Sequence, residues 1–551
     1  MRHLLVSAAA LALLAAPASG RAQSSAQPGP DASMAAQAGE KPDKASAGQP
    51  KPGAALDLRA LTAQSDKLKD SDIATAPIRE IRRTSHHTVT IGGKQIAYTA
   101  TAGTLTIRDD DGKPTASMFY VAYTAGADHD PHRPVTFFYN GGPGSSSVWL
   151  HMGSLAPVRV RTDSPQATHN APFDLGPNPD SLLDKSDLVF VDAIGAGFSR
   201  PLGDTKLAAF WGTDPDIDAF ARGIERYLTV NDRWNAPKFI FGESYGTTRS
   251  AGLAYRLQKD GAQLNGVILL SSILNYGRRD PGFDQELINY IPSYAATAAY
   301  HHRSATQPND LAAYLKAVRD WARGPYALAL AKGQDLSPAE RQQIADQMAG
   351  YTGLPAKFIL DSDLRVDLRR FLKEELRDQR RTLGRYDSRF TGMDVDAAGE
   401  SPEYDPSDTG ISGAFVSSFH DYLSRELGYQ TDLSYRPTFY SSGVQWNFTH
   451  KPPVATPFQS GNPADVAQDL SAAMRENPHL LVYSLNGLYD MATPFFGTEY
   501  DLGHMQIDPS LRANLRFAYY PSGHMVYLNP DALKAMKADL ARFYDEAAPQ
   551  R

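Results

Sequence analysis

Five short, almost uninterrupted apolar runs set the strongest limit on how this chain can fold. They are Val135-Thr-Phe-Phe-Tyr139, Leu188-Val-Phe-Val191, Phe239-Ile-Phe241, Val267-Ile-Leu-Leu270 and Leu480-Leu-Val-Tyr483. A strand with one wet face alternates apolar and polar residues, so runs without alternation fit strands covered on both faces, as in a parallel sheet between helices. Helical patterns lie between and after them. Beyond Tyr245, the residues Leu253, Ala254 and Leu257 recur at helical spacing, and Gly261 stands where a C-terminal cap belongs. Near the end of the chain Leu533, Met536, Leu540 and Phe543 form one stripe. Strand, helix, strand in succession predicts an α/β fold with a mostly parallel central sheet.

The stretch before these runs has a different period. His87-Thr-Val-Thr-Ile91 and Gln95-Ile-Ala-Tyr-Thr99 flank Gly92-Gly93, a hairpin signal. Thr104-Leu-Thr-Ile-Arg108 and Ser117-Met-Phe-Tyr-Val-Ala-Tyr123 flank Asp109-Asp-Asp-Gly112. Those carboxylates are consecutive rather than alternating, and no glutamate closes the loop at calcium-loop spacing, so a turn is expected. Between Leu270 and Leu480 no buried-strand run stands out. Leu364, Leu368, Phe371, Leu372 and Leu376 read as one helical face, with bases and acids interleaved opposite. That is an ordinary solvated face rather than a nucleic-acid surface. Residues 275–440 are therefore expected to be a mainly helical cap inserted into a domain made of 56–274 and 441–551.

The first residues read as a leader. Arg2 and His3 precede an apolar run from Leu4 to Ala16, followed by the small residues Ala18-Ser-Gly20 and Ala22. This is the pattern of a signal peptide over 1–22, and the run is too short for a membrane span of about 20 residues. Residues 23–55 carry almost no large apolar side chain and read as a flexible linker. The chain has no cysteine, hence no disulfide and no thiol nucleophile, which suits export to a bacterial periplasm. A formal net charge of -7 gives no reason to expect a nucleic-acid partner.

Chemistry concentrates in a few loops. Gly242-Glu-Ser-Tyr-Gly246 follows the strand Phe239–Phe241 and precedes a helix, the setting in which an α/β-hydrolase holds a nucleophilic serine on a tight turn. Ser244 then needs a base held by a carboxylate, and in this fold the order is serine, acid, histidine. Asp490 follows the strand around Leu480–Tyr483, and His524 follows another apolar strand, Phe517-Ala-Tyr-Tyr520. His504 sits in a similar Gly-His-Met but no buried strand leads into it, so either a structural role or one supporting the site residues from behind is expected. His86-His87 and His301-His302 lack metal-ligand spacing and read as ordinary surface. Asn140-Gly-Gly-Pro-Gly-Ser-Ser-Ser147 has no Walker lysine and no G-x-G-x-x-G. After a strand in a serine hydrolase, such a loop supplies a backbone N–H for an oxyanion.

Five segments in order resemble the serine carboxypeptidase family: Asn140 to Gly144, Val191-Asp-Ala-Ile-Gly-Ala-Gly-Phe-Ser199, Gly242 to Gly246, Asn486 to Asp490, and Gly523-His-Met525. The resemblance runs from about His86 to the C-terminus. It implies an α/β-hydrolase that cleaves C-terminal residues from peptides without a cofactor or metal. Ser244 would be the nucleophile, His524 the base and Asp490 its orienter. The N–H groups of Gly142 and Tyr245 would hold the oxyanion. Asn140, Gly141 and a protonated Glu243 would bind the peptide's terminal carboxylate. The chain departs from the family at Ser154, where a second glutamate is usual, at Ser145, where a disulfide cysteine is common, and at Thr247 and Ala193-Ile194. An acyltransferase or esterase on the same fold is the alternative, and a binding protein on an inactive hydrolase fold the alternative outside enzymes.

Overall fold

The computed structural model of the chain describes residues 74–126, 130, 132–280, 282–439, 444–453 and 463–548. The leader, the linker and the expected start of the folded part near Leu56 lie outside the described residues. Asp70–Arg551 forms one compact unit.

Its centre is one sheet. The strands are β1 (Arg82–Ile91), β2 (Lys94–Arg108), β3 (Pro114–Ala125), β4 (Val135–Tyr139), β5 (Asp187–Val191), β6 (Lys238–Ser244), β7 (Gly266–Ser272), β8 (Leu481–Gly487) and β9 (Leu515–Tyr520). Their spatial order is β1-β2-β3-β5-β4-β6-β7-β8-β9, with the two-residue strand Arg200–Pro201 also paired to β3. The pairs β1–β2, β2–β3 and β3–β5 are antiparallel, and every pair from β5 through β4 to β9 is parallel. The reversal of β4 and β5 followed by parallel strands is the α/β-hydrolase arrangement.

The five apolar runs are central strands, and alternate residues of each pack on opposite faces. Phe138, Phe190 and Phe241 stack on one face, with ring centroids 4.8 and 4.9 Å from Phe138. Helices α1 (Val148–Gly153), α10 (Pro406–Arg425) and α13 (Pro530–Ala547) cover that side. Val135, Phe137, Val189, Ile240 and Val267 point the other way, under α2 (Thr213–Val230), α3 (Tyr245–Lys259) and α11 (Ala467–Glu476). At about 25 cal/mol per Å², two faces of such side chains dominate the stabilisation of the sheet.

Between β7 and β8 lie six further α-helices among the described residues before α10: α4 (Gln285–Tyr300), α5 (Leu311–Trp321), α6 (Ala327–Lys332), α7 (Pro338–Thr352), α8 (Ala356–Asp361) and α9 (Leu368–Glu374). They enclose a core of their own that includes Tyr294, Tyr326 and Phe371, and α12 (Phe495–Gly503) adds Phe495 and Phe496 to it.

Four local expectations need correction. Gln95–Thr99 and Thr104–Arg108 are not two strands but parts of the 15-residue β2. Leu364 is not on a helix with Leu368: Asp363 and Leu364 have φ of 53° and 62°, and Asp367 starts α9 afresh by accepting from the N–H groups of Arg369 and Arg370. The strand before His524 is an edge strand, with Phe517 and Tyr519 both more than a third exposed. His301 is not ordinary surface; it is half-buried, with Nε2 2.8 Å from the carbonyl of Ser388.

Candidate active site

The strand β6 runs without a connecting loop into helix α3, and Ser244 is the joint. Its φ of 61° with ψ of -130° is a conformation that side chains rarely adopt, at a cost of about 1–3 kcal/mol. Two glycines make the turn possible. A Cβ on Gly242 would lie 2.1 Å from the carbonyl oxygen of Gly246, and one on Gly246 would lie 2.8 Å from that of Tyr139. Thr247 closes the turn, its Oγ1 donating to the Ser244 carbonyl at 2.7 Å and accepting from the N–H of Ile273 at 3.0 Å.

The loop after β4 lies against this joint. An added Cβ at Gly141 would sit 2.4 Å from the amide nitrogen of Tyr245 and 2.6 Å from that of Gly246, so only a bare backbone fits. The loop is anchored from below by a buried ion pair that the sequence did not disclose. Arg249 donates to Asp216 at 2.8 and 3.1 Å and to the Asn140 carbonyl at 2.8 Å, while the Tyr245 hydroxyl lies 3.3 Å from the same aspartate. Asp192 adds a second anchor, accepting from the N–H and hydroxyl of Ser147, both at 2.8 Å.

Asp490 and His524 come from the loops after β8 and β9, whose strands are neighbours. Asp490 Oδ1 accepts from the N–H groups of Ala492 and Thr493 at 2.7 and 2.9 Å, and Oδ2 lies 2.8 Å from His524 Nδ1. The aspartate thus both caps its own loop and holds the imidazole. Thr493, missed in the sequence, lies with Oγ1 2.7 Å from Asp490 Oδ2, 3.1 Å from His524 Nδ1 and 2.9 Å from the carbonyl of Ser271. His524 is fixed through its backbone as well. Its N–H donates to the Tyr386 carbonyl at 2.6 Å, its carbonyl accepts from Ser271 Oγ at 2.6 Å, and its ring stacks on that of Tyr386.

With Nδ1 committed to Asp490, Nε2 is the nitrogen left for chemistry. Ser244 and His524 line one small cavity of about 40 Å³, together with Asn140, Gly141, Gly142 and Glu243. Among the described residues no hydrogen bond joins the serine hydroxyl to the imidazole. Ser145, Trp149, Tyr386, Asp408, Thr438 and Met525 complete the lining. Tyr245 does not line this cavity; it is the first residue of α3, and its side chain is fully buried.

Glu243 is 1% exposed, and burial, opposed by the nearby His524, pushes its carboxyl up to about 7. Ser154 offers it nothing: the Ser154 hydroxyl donates to the Leu150 carbonyl at 2.5 Å, one turn back on its own helix. Ser145 accepts from the indole N–H of Trp149 at 3.0 Å. His504 is exposed and lies 2.7 Å from the carbonyl of Tyr500, the structural one of the two roles expected of it. Among the described residues no group of three His, Asp or Glu side chains is placed to hold a metal.

The arrangement can carry out acyl transfer. A hydroxyl at a helix N-terminus, an imidazole oriented by a buried carboxylate, and a glycine loop over the same helix start are the parts that nucleophilic attack on an acyl carbon requires.

The family model of the serine carboxypeptidases matches residues 93–285, which include Asn140, Gly141, Gly142, Glu243, Ser244 and Tyr245 but neither Asp490 nor His524. Among solved structures, a peroxisomal alpha-beta-hydrolase from Saccharomyces cerevisiae is 9% identical, covering 86% of this chain and 91% of its own, with a TM-score of 0.30. A monoglyceride lipase from the same yeast is 12% identical over 81% and 96%, with a TM-score of 0.33. Juvenile hormone epoxide hydrolase from the silkworm Bombyx mori is 11% identical over 82% and 79%, with a TM-score of 0.32.

Proposed function

With residues 93–285 matching the serine carboxypeptidase family, we propose that this serine hydrolase removes C-terminal residues from peptides through an acyl-enzyme. Ser244 Oγ attacks the scissile carbonyl carbon as His524 Nε2 takes its proton, and Asp490 stabilises the imidazolium that results. The N–H groups of Gly142 and Tyr245 hold the oxyanion. Collapse breaks the C–N bond, and the imidazolium passes its proton to the departing amine. Water, deprotonated by the same imidazole, then attacks the acyl carbon and releases Ser244. No cofactor enters these steps.

The observation that most supports an exopeptidase is Glu243, a buried carboxyl one residue before the nucleophile and in the same cavity as Asn140 and Gly141. A carboxyl can hold a peptide's terminal carboxylate only while it carries a proton. Burial keeps Glu243 protonated well above the ordinary glutamate range. One observation favours the alternative of an esterase or acyltransferase: Ser154 supplies no second carboxyl there. The deciding experiment compares a peptide with its C-terminally amidated twin. Faster release from the free acid supports the carboxypeptidase, and equal turnover contradicts it.

A further inference from the structure

Two buried polar atoms, one of them on the residue before the nucleophile, are left without a hydrogen-bond partner among the described residues. Glu243 Oε2 and the Tyr527 hydroxyl are both inaccessible to water, and neither makes a directed hydrogen bond among the described residues. Leaving such an atom unpaired costs about 1–3 kcal/mol. Each lies within the other's electrostatic reach, and the Asn140 side chain lies against both. Asn140 spends its carbonyl oxygen on the N–H of Leu150 at 3.0 Å, which turns its amide into a donor for this cluster. Nor is Tyr527 there by default. Its ring is pressed onto Gly153, where a Cβ would lie 2.6 Å from the ring carbon Cε2.

We propose that the Tyr527 hydroxyl is the hydrogen-bond donor of Glu243, a positioning residue that aims this carboxyl at a peptide's C-terminal carboxylate. Ser154, bound to Leu150, cannot fill that role. The proposal rests on the carboxypeptidase reading for what the carboxyl recognises, but not for the pairing itself.

A phenol and a second carboxyl would act differently. Burial holds the Tyr527 hydroxyl far above its ordinary range, so it remains a donor at any working pH. A permanent donor favours the carboxylate form of its partner. Two other charged groups face Glu243: His524 also favours the anion, and Asp490 opposes it. Without the phenol, Glu243 should therefore keep its proton to higher pH.

The test is an infrared titration of the protonated Glu243 carbonyl band, assigned by its loss in Glu243→Gln. In Tyr527→Phe the midpoint should move up by about one pH unit. Gly153→Ala, which displaces the ring and leaves the hydroxyl, should move it the same way and covers the case in which the phenylalanine variant does not fold. An unmoved midpoint in whichever of these variants folds overturns the proposal. The alkaline limb of kcat/KM on a free-acid peptide should follow the midpoint. Equal turnover of acid and amide would remove the carboxypeptidase reading while leaving the infrared result to stand or fall alone.

Discussion

His524 Nδ1 lies 2.8 Å from Asp490 Oδ2, with both side chains cut off from solvent and the other carboxylate oxygen already held by two backbone N–H groups. The aspartate cannot turn without breaking four hydrogen bonds, counting that from the Thr493 hydroxyl, so the imidazole has a fixed tautomer with Nε2 directed to chemistry. In Asp490→Asn an amide can face Nδ1 and force the proton to Nε2. We expect kcat to fall by about 10³–10⁴-fold with little change in thermal stability, measured by steady-state kinetics beside a melting curve.

Thr493 tests how much of that orientation is shared. Its hydroxyl touches Asp490, His524 and the carbonyl of Ser271 at once. Thr493→Val keeps the shape and removes those contacts. We expect kcat to fall by about 10–100-fold, the usual scale for a supporting contact around an active group, with KM nearly unchanged.

The buried pair Arg249–Asp216 supports the glycine loop through the Asn140 carbonyl. Arg249→Met leaves Asp216 charged and unpaired, and should destabilise the fold by about 3–5 kcal/mol in urea unfolding. Replacing Asp216 by Leu as well should recover most of that stability but not the activity, because the loop loses its anchor in either case.

His450 predicts a dependence on pH. Burial opposes its charge, but Asp214 at 2.5 Å and Asp469 at 2.8 Å outweigh that and push the imidazole up to about 9. A cation with a raised value stabilises the fold fully below the ordinary histidine range, and that contribution disappears as pH rises through about 9. Wild type should lose stability between pH 7 and 10 relative to His450→Gln, read from Tm in matched buffers. Parallel curves would show that the pair contributes nothing.

Glu243 has the opposite linkage from an ordinary salt-bridged acid. Its carboxyl is raised by burial, so the proton favours the fold, and stability falls as pH rises from the ordinary glutamate range through about 7. Glu243→Gln should remove this loss. The difference in Tm between variant and wild type should grow in favour of the variant from pH 4 to pH 8.

What could be read from the sequence was what depends on neighbours along the chain. The turn at Ser244 is legible because the strand, both glycines and the helix are contiguous. The runs ending at Tyr139 and near Tyr483 placed the glycine loop and Asp490 beyond strand ends. The remainder depends on side chains that meet only in space. Arg249 and Asp216 are thirty-three residues apart and carry no motif. Tyr386 comes from the region between β7 and β8, where no strand pattern guided the reading. Tyr527 looks like any aromatic beside a histidine until Gly153 and Glu243 are seen around it. The break at Asp363 and Leu364 was hidden because helical spacing of leucines says nothing about a left-handed backbone between them.

Acyl transfer by this route requires above all that Ser244 be the residue that becomes acylated. Intact-mass analysis after reaction with a fluorophosphonate, followed by peptide mapping, tests this directly. One adduct on Ser244, absent from Ser244→Ala and greatly slowed in His524→Ala, is the expected result. An adduct on another residue, or undiminished labelling of Ser244→Ala, would contradict it.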